Sequence, residues 1–387
     1  MDAYLVDAVR TVFGKNRGGL ARVRPDDLAA IPIRELVTRT GIDPAAIGDV
    51  VLGNSNGAGE ENRNLGRMAA LLADLPTSVP GLTVNRLCGS GSEAIVNAAR
   101  EVAAGDAEFV VAGGAESMSR APFVLQRPDE VFARSMELHQ TVVGWRMVNP
   151  RFPGHWTDPL GACAERSALR AGVTRGDQDA WALRSHLLAQ AAWENGLHDD
   201  WVVAVEGVTR DESIRPDTDA AQLTKLKPAF TQDGTVTAGN ASPINDGALA
   251  ALITTKAGLA DLGAEPLGRI RASATVAVEP DDFAMAPVPA IREATRKAGV
   301  ALGDLRVVEI QEAFAAVVLS CLADLPEIDR DLVNPNGGAI AYGHPLGASG
   351  ARLVVDLCRE LRRRGGGVGV MAVCIGVGLG QAIVVEV

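Results

Sequence analysis

Along this chain, short apolar runs alternate with longer stretches in which apolar residues recur every third or fourth position. The run from Met1 to Asp7 predicts a first strand, and Asp26 to Arg39 predicts a helix that stops near Gly41. Ile47–Gly53 reads as a short buried strand, Gly57–Glu61 as a loop and Asn64–Ala73 as a helix. Thr83–Arg86 then leads into a glycine-rich turn around Cys88. Beyond it Ala94, Ile95, Ala98, Val102 and Ala103 share one helical face, and Gly105 supplies the stop. Ser90 and Glu93 match a Ser-x-x-Glu capping box, which starts this helix at about Ser90. Glu108–Ala112 is a buried strand ending in Gly113-Gly114. Strands alternating with helices predict an α/β fold with a largely parallel sheet.

The last third repeats this order. Arg34-Glu35, Gly41-Ile42 and Val50-Val51 are matched by Arg292-Glu293, Gly299-Val300 and Val307-Val308, at a shift of 257 or 258. Ser90-Gly91 and its helix match Ser349-Gly350 and a helix from Ala351 to Arg364; the strand ending at Ala112 matches Gly367–Cys374. A near-constant offset implies two copies of one unit. In the second copy, strand 369–374 turns directly into a closing strand, Gln381–Val387. In the first, the equivalent closing strand Ala248–Thr255 comes only after a long insert, which holds all five Trp. Residues 1–118 with 242–268 therefore form one half, 119–241 an inserted loop domain, and 269–387 the other half. Within the insert, Asp177–Asn195 predicts a helix whose apolar face carries Trp181, Leu183, Leu187, Leu188 and Ala191.

Composition narrows the function classes. A chain of 387 residues with net charge −11 has no basic face for nucleic acid. No run of 18 apolar residues is present to span a membrane, and no export or transit signal is read at the N-terminus. Five cysteines, at 88, 163, 321, 358 and 374, form no C-x-x-C pair and predict free thiols in a reducing cytoplasm. With the five His scattered, no metal site is expected. Gly376-x-Gly378-x-Gly380 is no nucleotide fingerprint, because it leads into a β-type segment rather than a helix.

Cys88 carries the candidate chemistry. It stands just ahead of a helix N-terminus, where free N–H groups and the dipole favour a thiolate. If the two units pack about a pseudo-twofold axis, their equivalent loops face one crevice. The loops matching the Cys88 turn and the Gly113 turn are His344-Pro345-Leu346-Gly347 and Cys374-Ile375-Gly376. That brings two thiols together with His344, the only His of the two α/β halves and a natural base for a thiol.

On these motifs the sequence resembles the thiolase family nearly end to end. The matching stretches are Asn85-Arg86-Leu87-Cys88-Gly89-Ser90-Gly91, Ala112–Ser119, Gly239-Asn240-Ala241-Ser242, Glu312-Ala313-Phe314-Ala315, Asn336-Gly337-Gly338 with Gly343-His344-Pro345, and Cys374-Ile375-Gly376. Arg24–Pro32, Gly144–Pro150 and Cys374–Gly378 are similar to the branch that cleaves 3-oxoadipyl-CoA in aromatic-acid breakdown.

The resemblance implies a five-layer α-β-α-β-α sandwich and an acyl transfer between a 3-oxoacyl-CoA and CoA. In that chemistry Cys88 attacks the 3-keto carbon, Cys374 protonates the departing acetyl-CoA enolate, and His344 activates first Cys88 and then CoA. The N–H groups of Cys88 and Gly376 would hold one oxyanion. CoA is then a co-substrate rather than a permanently bound cofactor, met by Lys227, Ser242, Ala313, Phe314 and Leu160. A homodimer or homotetramer is implied as well. Two positions depart from the family: Gln311 stands where Asn or His usually positions the oxyanion-hole water, and Lys227 where Arg is common. A dicarboxylic substrate needs a cation, for which Arg63, Arg67, Arg146 and Arg151 are candidates. Biosynthetic acetoacetyl-CoA formation and a thiolase-fold acyl-CoA binder with weak turnover stay open at this point. A condensing enzyme of fatty-acid or polyketide type is disfavoured by the second thiol, Cys374.

Overall fold

The computed structural model describes residues 2–387, so Met1 of the expected opening strand lies outside the described residues. The main strands are β1 (Ala3–Thr11), β2 (Ile47–Gly53), β3 (Leu82–Val84), β4 (Phe109–Ser117), β5 (Asn245–Thr254), β6 (Gly268–Ala277), β7 (Val307–Ile310), β8 (Val368–Ile375) and β9 (Leu379–Glu386). The helices that matter to the site are α1 (Pro25–Thr40), α2 (Leu65–Leu72), α3 (Ser90–Ala104), α4 (Arg175–Glu194), α5 (Pro287–Ala298) and α6 (Leu346–Arg363). Among the described residues no helix is long and apolar enough to cross a membrane.

The nine strands lie in the order β7-β8-β9-β6-β1-β5-β4-β2-β3. Outward from the middle, one side runs β1-β5-β4-β2 and the other β6-β9-β8-β7, so equivalent strands occupy equivalent places. The two sides meet through a short antiparallel pairing of Ala3–Leu5 with Gly268–Ile270. On each side an outer pair is parallel (β2 with β4, β7 with β8) and the inner pairs are antiparallel. The sheet is thus mixed rather than largely parallel, because each unit's closing strand returns as a hairpin-like neighbour. Helices α3 and α6 pack on each other between the two half-sheets, α1 and α2 cover one outer face, and α5 covers the other. That stacking gives five layers.

Local chemistry explains most element ends. Pro25 opens α1, Asp26 and Asp27 occupy its positive end, and Gly41 closes it in a left-handed conformation with its N–H on Val37 O. Thr174 and Asp177 cap α4 reciprocally. All ten residues of β5 are buried, as expected for a strand covered on both faces.

Four local expectations need correction. The start of α3 at Ser90 is right, but its capping box does not form. Ser90 Oγ instead accepts from Arg86 N and donates to Leu87 O, while Glu93 pairs with Arg86 Nε at 2.9 Å. Gly113 and Gly114 do not end β4; the strand continues to Ser117. Their role is close approach, since a Cβ on Gly114 would come 2.0 Å from Gly347 O. Helix α6 begins at Leu346, well before Ala351, with its Gly347 pressed on Ala115 O of β4. Helix α4 is rotated from the expected register: Leu187 is exposed, and the buried face includes Gln178, Trp181, Ser185 and Ala189. Polar side chains lie on that face because it meets the buried carboxylate of Glu312, which accepts from Trp181 Nε1 and Ser185 Oγ.

Candidate active site

Helices α3 and α6 each begin just beyond a candidate residue, Cys88 in one unit and His344 in the other, and the two helix starts pack together. The Cys88 turn is held rigidly. Leu87 adopts a left-handed φ of 47°, uncommon for a branched residue, and is fixed there by Asn85 Oδ1 on its N–H and Ser90 Oγ on its carbonyl. Asn85 Nδ2 also donates to Ser55 O, tying the turn to the loop after β2.

Cys88 is buried, and burial pushes its thiol up to about 11; the N–H groups of Gly376 and of Cys88 itself favour the anion without offsetting this. Desolvation thus works against the thiolate that the helix start favours. Cys374, the penultimate residue of β8, is also buried and pushed well above the ordinary thiol range, by burial first and then by Cys88 and Cys321 nearby. All five cysteines are free thiols.

His344 is buried and held low, at about 3, by desolvation and then by the charge of Arg352. Its tautomer follows from its neighbour. Ser349 Oγ donates to Pro345 O at 2.9 Å, so at the 2.7 Å contact with His344 the ring Nδ1 must be the donor. Nδ1 carries the hydrogen, and Nε2, which bonds to no protein group, keeps its lone pair. The backbone is fixed by His344 N donating to Asn245 Oδ1, and Gly343 (φ 105°) leaves room for that Asn245 side chain.

Glu116, at the end of β4, joins the units. Its carboxylate accepts from Gly347 N and Ser55 N, both at 2.9 Å, and from Asn56 N at 3.0 Å. Burial raises it to about 7 despite those donors. Gln311 follows β7, held by its N–H on Ala372 O; both polar atoms of its buried amide lack a protein partner. Gly376 follows β8, where a Cβ would stand 3.2 Å from Trp145 Cη2 and 3.3 Å from Leu87 Cδ1.

Of the residues implied for CoA, most form one wall. Ser242 N donates to Ala313 O, Ala241 bridges Phe314, and Phe314 meets Phe230 edge-on at 5.6 Å. Phe230 in turn lies on Gly161, beside half-buried Leu160. Lys227 is exposed on the segment leading to Phe230. Of the four candidate cations, Arg67 is excluded as a free one, since it donates to the carbonyls of Val79 and Thr77.

Several residues of this centre were given no part by the sequence. Asn245 acts through contacts between distant segments, Ser349 through His344 from one turn into α6, and Trp145, inside the Gly144–Pro150 motif, through Gly376. Glu116 lay inside a recognised motif, but only the fold shows what its carboxylate binds.

The comparisons with known proteins agree on the family. Residues 3–257 match the model described as Thiolase, N-terminal domain, and 264–387 match Thiolase, C-terminal domain. The chain is 47% identical to the 3-oxoadipyl-CoA/3-oxo-5,6-dehydrosuberyl-CoA thiolase of Escherichia coli K12, over 100% of this chain and 99% of that protein. It is 46% identical to a beta-ketoadipyl-CoA thiolase of Acinetobacter baylyi, over 99% of both. Among solved structures, the Bacillus anthracis acetyl-CoA acetyltransferase superposes with a TM-score of 0.92 at 37% identity, covering 100% of this chain and 98% of that one. With both family models spanning the chain and the matching fold in place, this protein belongs to the thiolase family of acyltransferases.

Proposed function

We propose that the protein cleaves 3-oxoadipyl-CoA, transferring its acyl part to CoA through a thioester on Cys88. The observation that carries the reading is the company of that sulfur, with the Gly376 N–H directed at it and Cys374 beside it; His344, whose only unbonded nitrogen is a base, stands at the start of the helix that packs on α3. The substrate is inferred from the relatives named above, which act on 3-oxoadipyl-CoA or beta-ketoadipyl-CoA.

In the first half-reaction His344 Nε2 takes the Cys88 proton as the sulfur adds to the 3-keto carbon. With the thiol near 11 and the imidazole near 3, the free enzyme keeps the neutral pair, so the proton moves as the new bond forms. The N–H groups of Cys88 and Gly376 hold the oxyanion on that carbon. The bond to the α-carbon then breaks, the acyl group stays on Cys88, and Cys374 gives its proton to the α-carbon of the departing acetyl-CoA. Before the second half-reaction His344 passes the proton it took from Cys88 to the Cys374 thiolate. Neutral His344 then takes the proton of a CoA thiol, whose sulfur displaces Cys88 from the acyl group, and returns that proton to the Cys88 sulfur. The enolate oxygen is held by His344 with a water, which the Gln311 amide, one methylene longer than the family's usual Asn, positions.

CoA enters as co-substrate along the wall of Leu160, Ser242, Ala313 and Phe314, with Lys227 toward its phosphates; no permanently bound cofactor is part of the scheme. Residues 1–118 with 242–268 and residues 269–387 are the two catalytic halves, and 119–241 is the binding wall. A homodimer or homotetramer is supported by the hairpin of Phe123–Leu125 and Leu138–Gln140, around which Phe123, Val131 and Phe132 are 66%, 91% and 90% exposed. The five free thiols support a reducing cytoplasm.

Rates with CoA on 3-oxoadipyl-CoA, acetoacetyl-CoA and a long-chain 3-oxoacyl-CoA test the proposal. The highest kcat/KM is expected on 3-oxoadipyl-CoA. A preference for acetoacetyl-CoA would replace the substrate with that of an acetyl-CoA acetyltransferase; no turnover on any of the three would leave an acyl-CoA binder.

A further inference from the structure

Cleavage of 3-oxoadipyl-CoA leaves a carboxylate three carbon–carbon bonds beyond the carbon attached to Cys88, roughly 4 Å when extended. Its recognition requires a cation close to the Cys88–Gly376 pair. We propose that this cation is Arg146 and that the adjacent Trp145 indole is the surface along which the acyl chain lies. The inference rests on the substrate reading above.

Two independent contacts bring this dipeptide to the centre. On one side the Trp145 ring edge lies beside Gly376, where an added Cβ would meet Trp145 Cη2 at 3.2 Å and Leu87 Cδ1 at 3.3 Å, next to the residue whose N–H reaches the Cys88 sulfur. On the other, Arg146 Nη2 lies 3.4 Å from Asn56 Oδ1. Asn56 belongs to the loop that Glu116 grips through the Ser55 and Asn56 N–H groups, and that Asn85 ties to the Cys88 turn. Arg146 therefore sits at the rim of the same crevice. Its single contact is long and neutral, and among the described residues no carboxylate pairs with it. Most of the five guanidinium donors remain available for a bidentate carboxylate.

The other candidates lack this placement. Arg67 is a backbone staple. Arg151 is held within its own turn by Asn149. Arg63 stands on the loop into α2, where its neighbour Asn64 bonds Gly81 and Thr83 rather than the Cys88 turn.

The test compares kcat/KM for 3-oxoadipyl-CoA and for 3-oxohexanoyl-CoA, the chain of equal length without the carboxylate, in the wild type, Arg146→Met, Arg146→Lys and Arg63→Met. In Arg146→Met the ratio of the two kcat/KM values is expected to fall about tenfold or more, the scale of one lost charge-assisted contact, and to fall through KM rather than kcat. Arg146→Lys should restore part of it. A ratio within twofold of wild type in Arg146→Met overturns the inference alone, as does a collapse seen in Arg63→Met instead. An equal loss on both substrates also overturns it, by making Arg146 merely structural. A wild type that favours 3-oxohexanoyl-CoA overturns the substrate reading and this inference with it.

Discussion

Cys88 and Cys374 are the same functional group in different surroundings. Cys88 lies in a turn ahead of α3, where the backbone is bent at Leu87 and the N–H of a neighbouring loop reaches its sulfur. Cys374 lies inside a ladder, paired in register with Gly380 of β9, and its sulfur has only other thiols for charged company. Burial raises both. The first is left at about 11, whereas the second is driven well above its ordinary range. A sulfur that donors can reach suits bond formation, because charge leaving it for the new oxyanion meets the same N–H groups. A sulfur with its own N–H but no donor from a neighbouring loop holds its proton until a strongly basic carbon takes it. The lesson is that one active site obtains two roles from one residue type by varying backbone access rather than side-chain chemistry.

The largest expected effect that sharpens this contrast comes from Cys374→Ala. Removing a positioned acid should lower thiolytic turnover by about 10²- to 10⁴-fold, while Cys88 stays open to alkylation by iodoacetamide. A loss smaller than tenfold would show that another group protonates the acetyl-CoA carbon. A smaller effect concerns the free enzyme. Only the thiolate alkylates, and a thiol near 11 is almost wholly protonated at neutral pH. The labelling rate of Cys88 should therefore climb about tenfold per pH unit from pH 7 to 9, with labelling of Cys374 lagging behind. A plateau reached by pH 8 would mean that the helix start and the Gly376 N–H outweigh burial after all.

Much of this centre was legible in the sequence because duplication turns spacing into position. Cys88, His344 and Cys374 each fall at the end of an element read from its apolar pattern, and the shared offset pairs their loops. Illegible features depend on which atoms of distant segments touch. Gly113 and Gly114 read as a strand stop and Gly347 as part of a loop, yet all three lie within regular elements, where the missing Cβ allows strand to close on strand or helix. Ser90 and Glu93 fit a capping box by type and spacing, but Arg86 competes for both side chains. The face of α4 could not be read from hydrophobicity, since it is chosen by a buried carboxylate, Glu312. Ser349 fixes the His344 tautomer from one turn into α6, a relation that no spacing rule announces.

The central division of labour is tested most directly by locating the acyl group. The enzyme would be mixed with 3-oxoadipyl-CoA in the absence of CoA, quenched, digested and mapped by mass spectrometry, alongside a Cys88→Ala variant. A four-carbon acyl thioester on the Cys88 peptide, with acetyl-CoA released and no acyl adduct in the variant, is the predicted result. An acyl group found on Cys374, or acetyl-CoA release that persists without Cys88, would contradict the account.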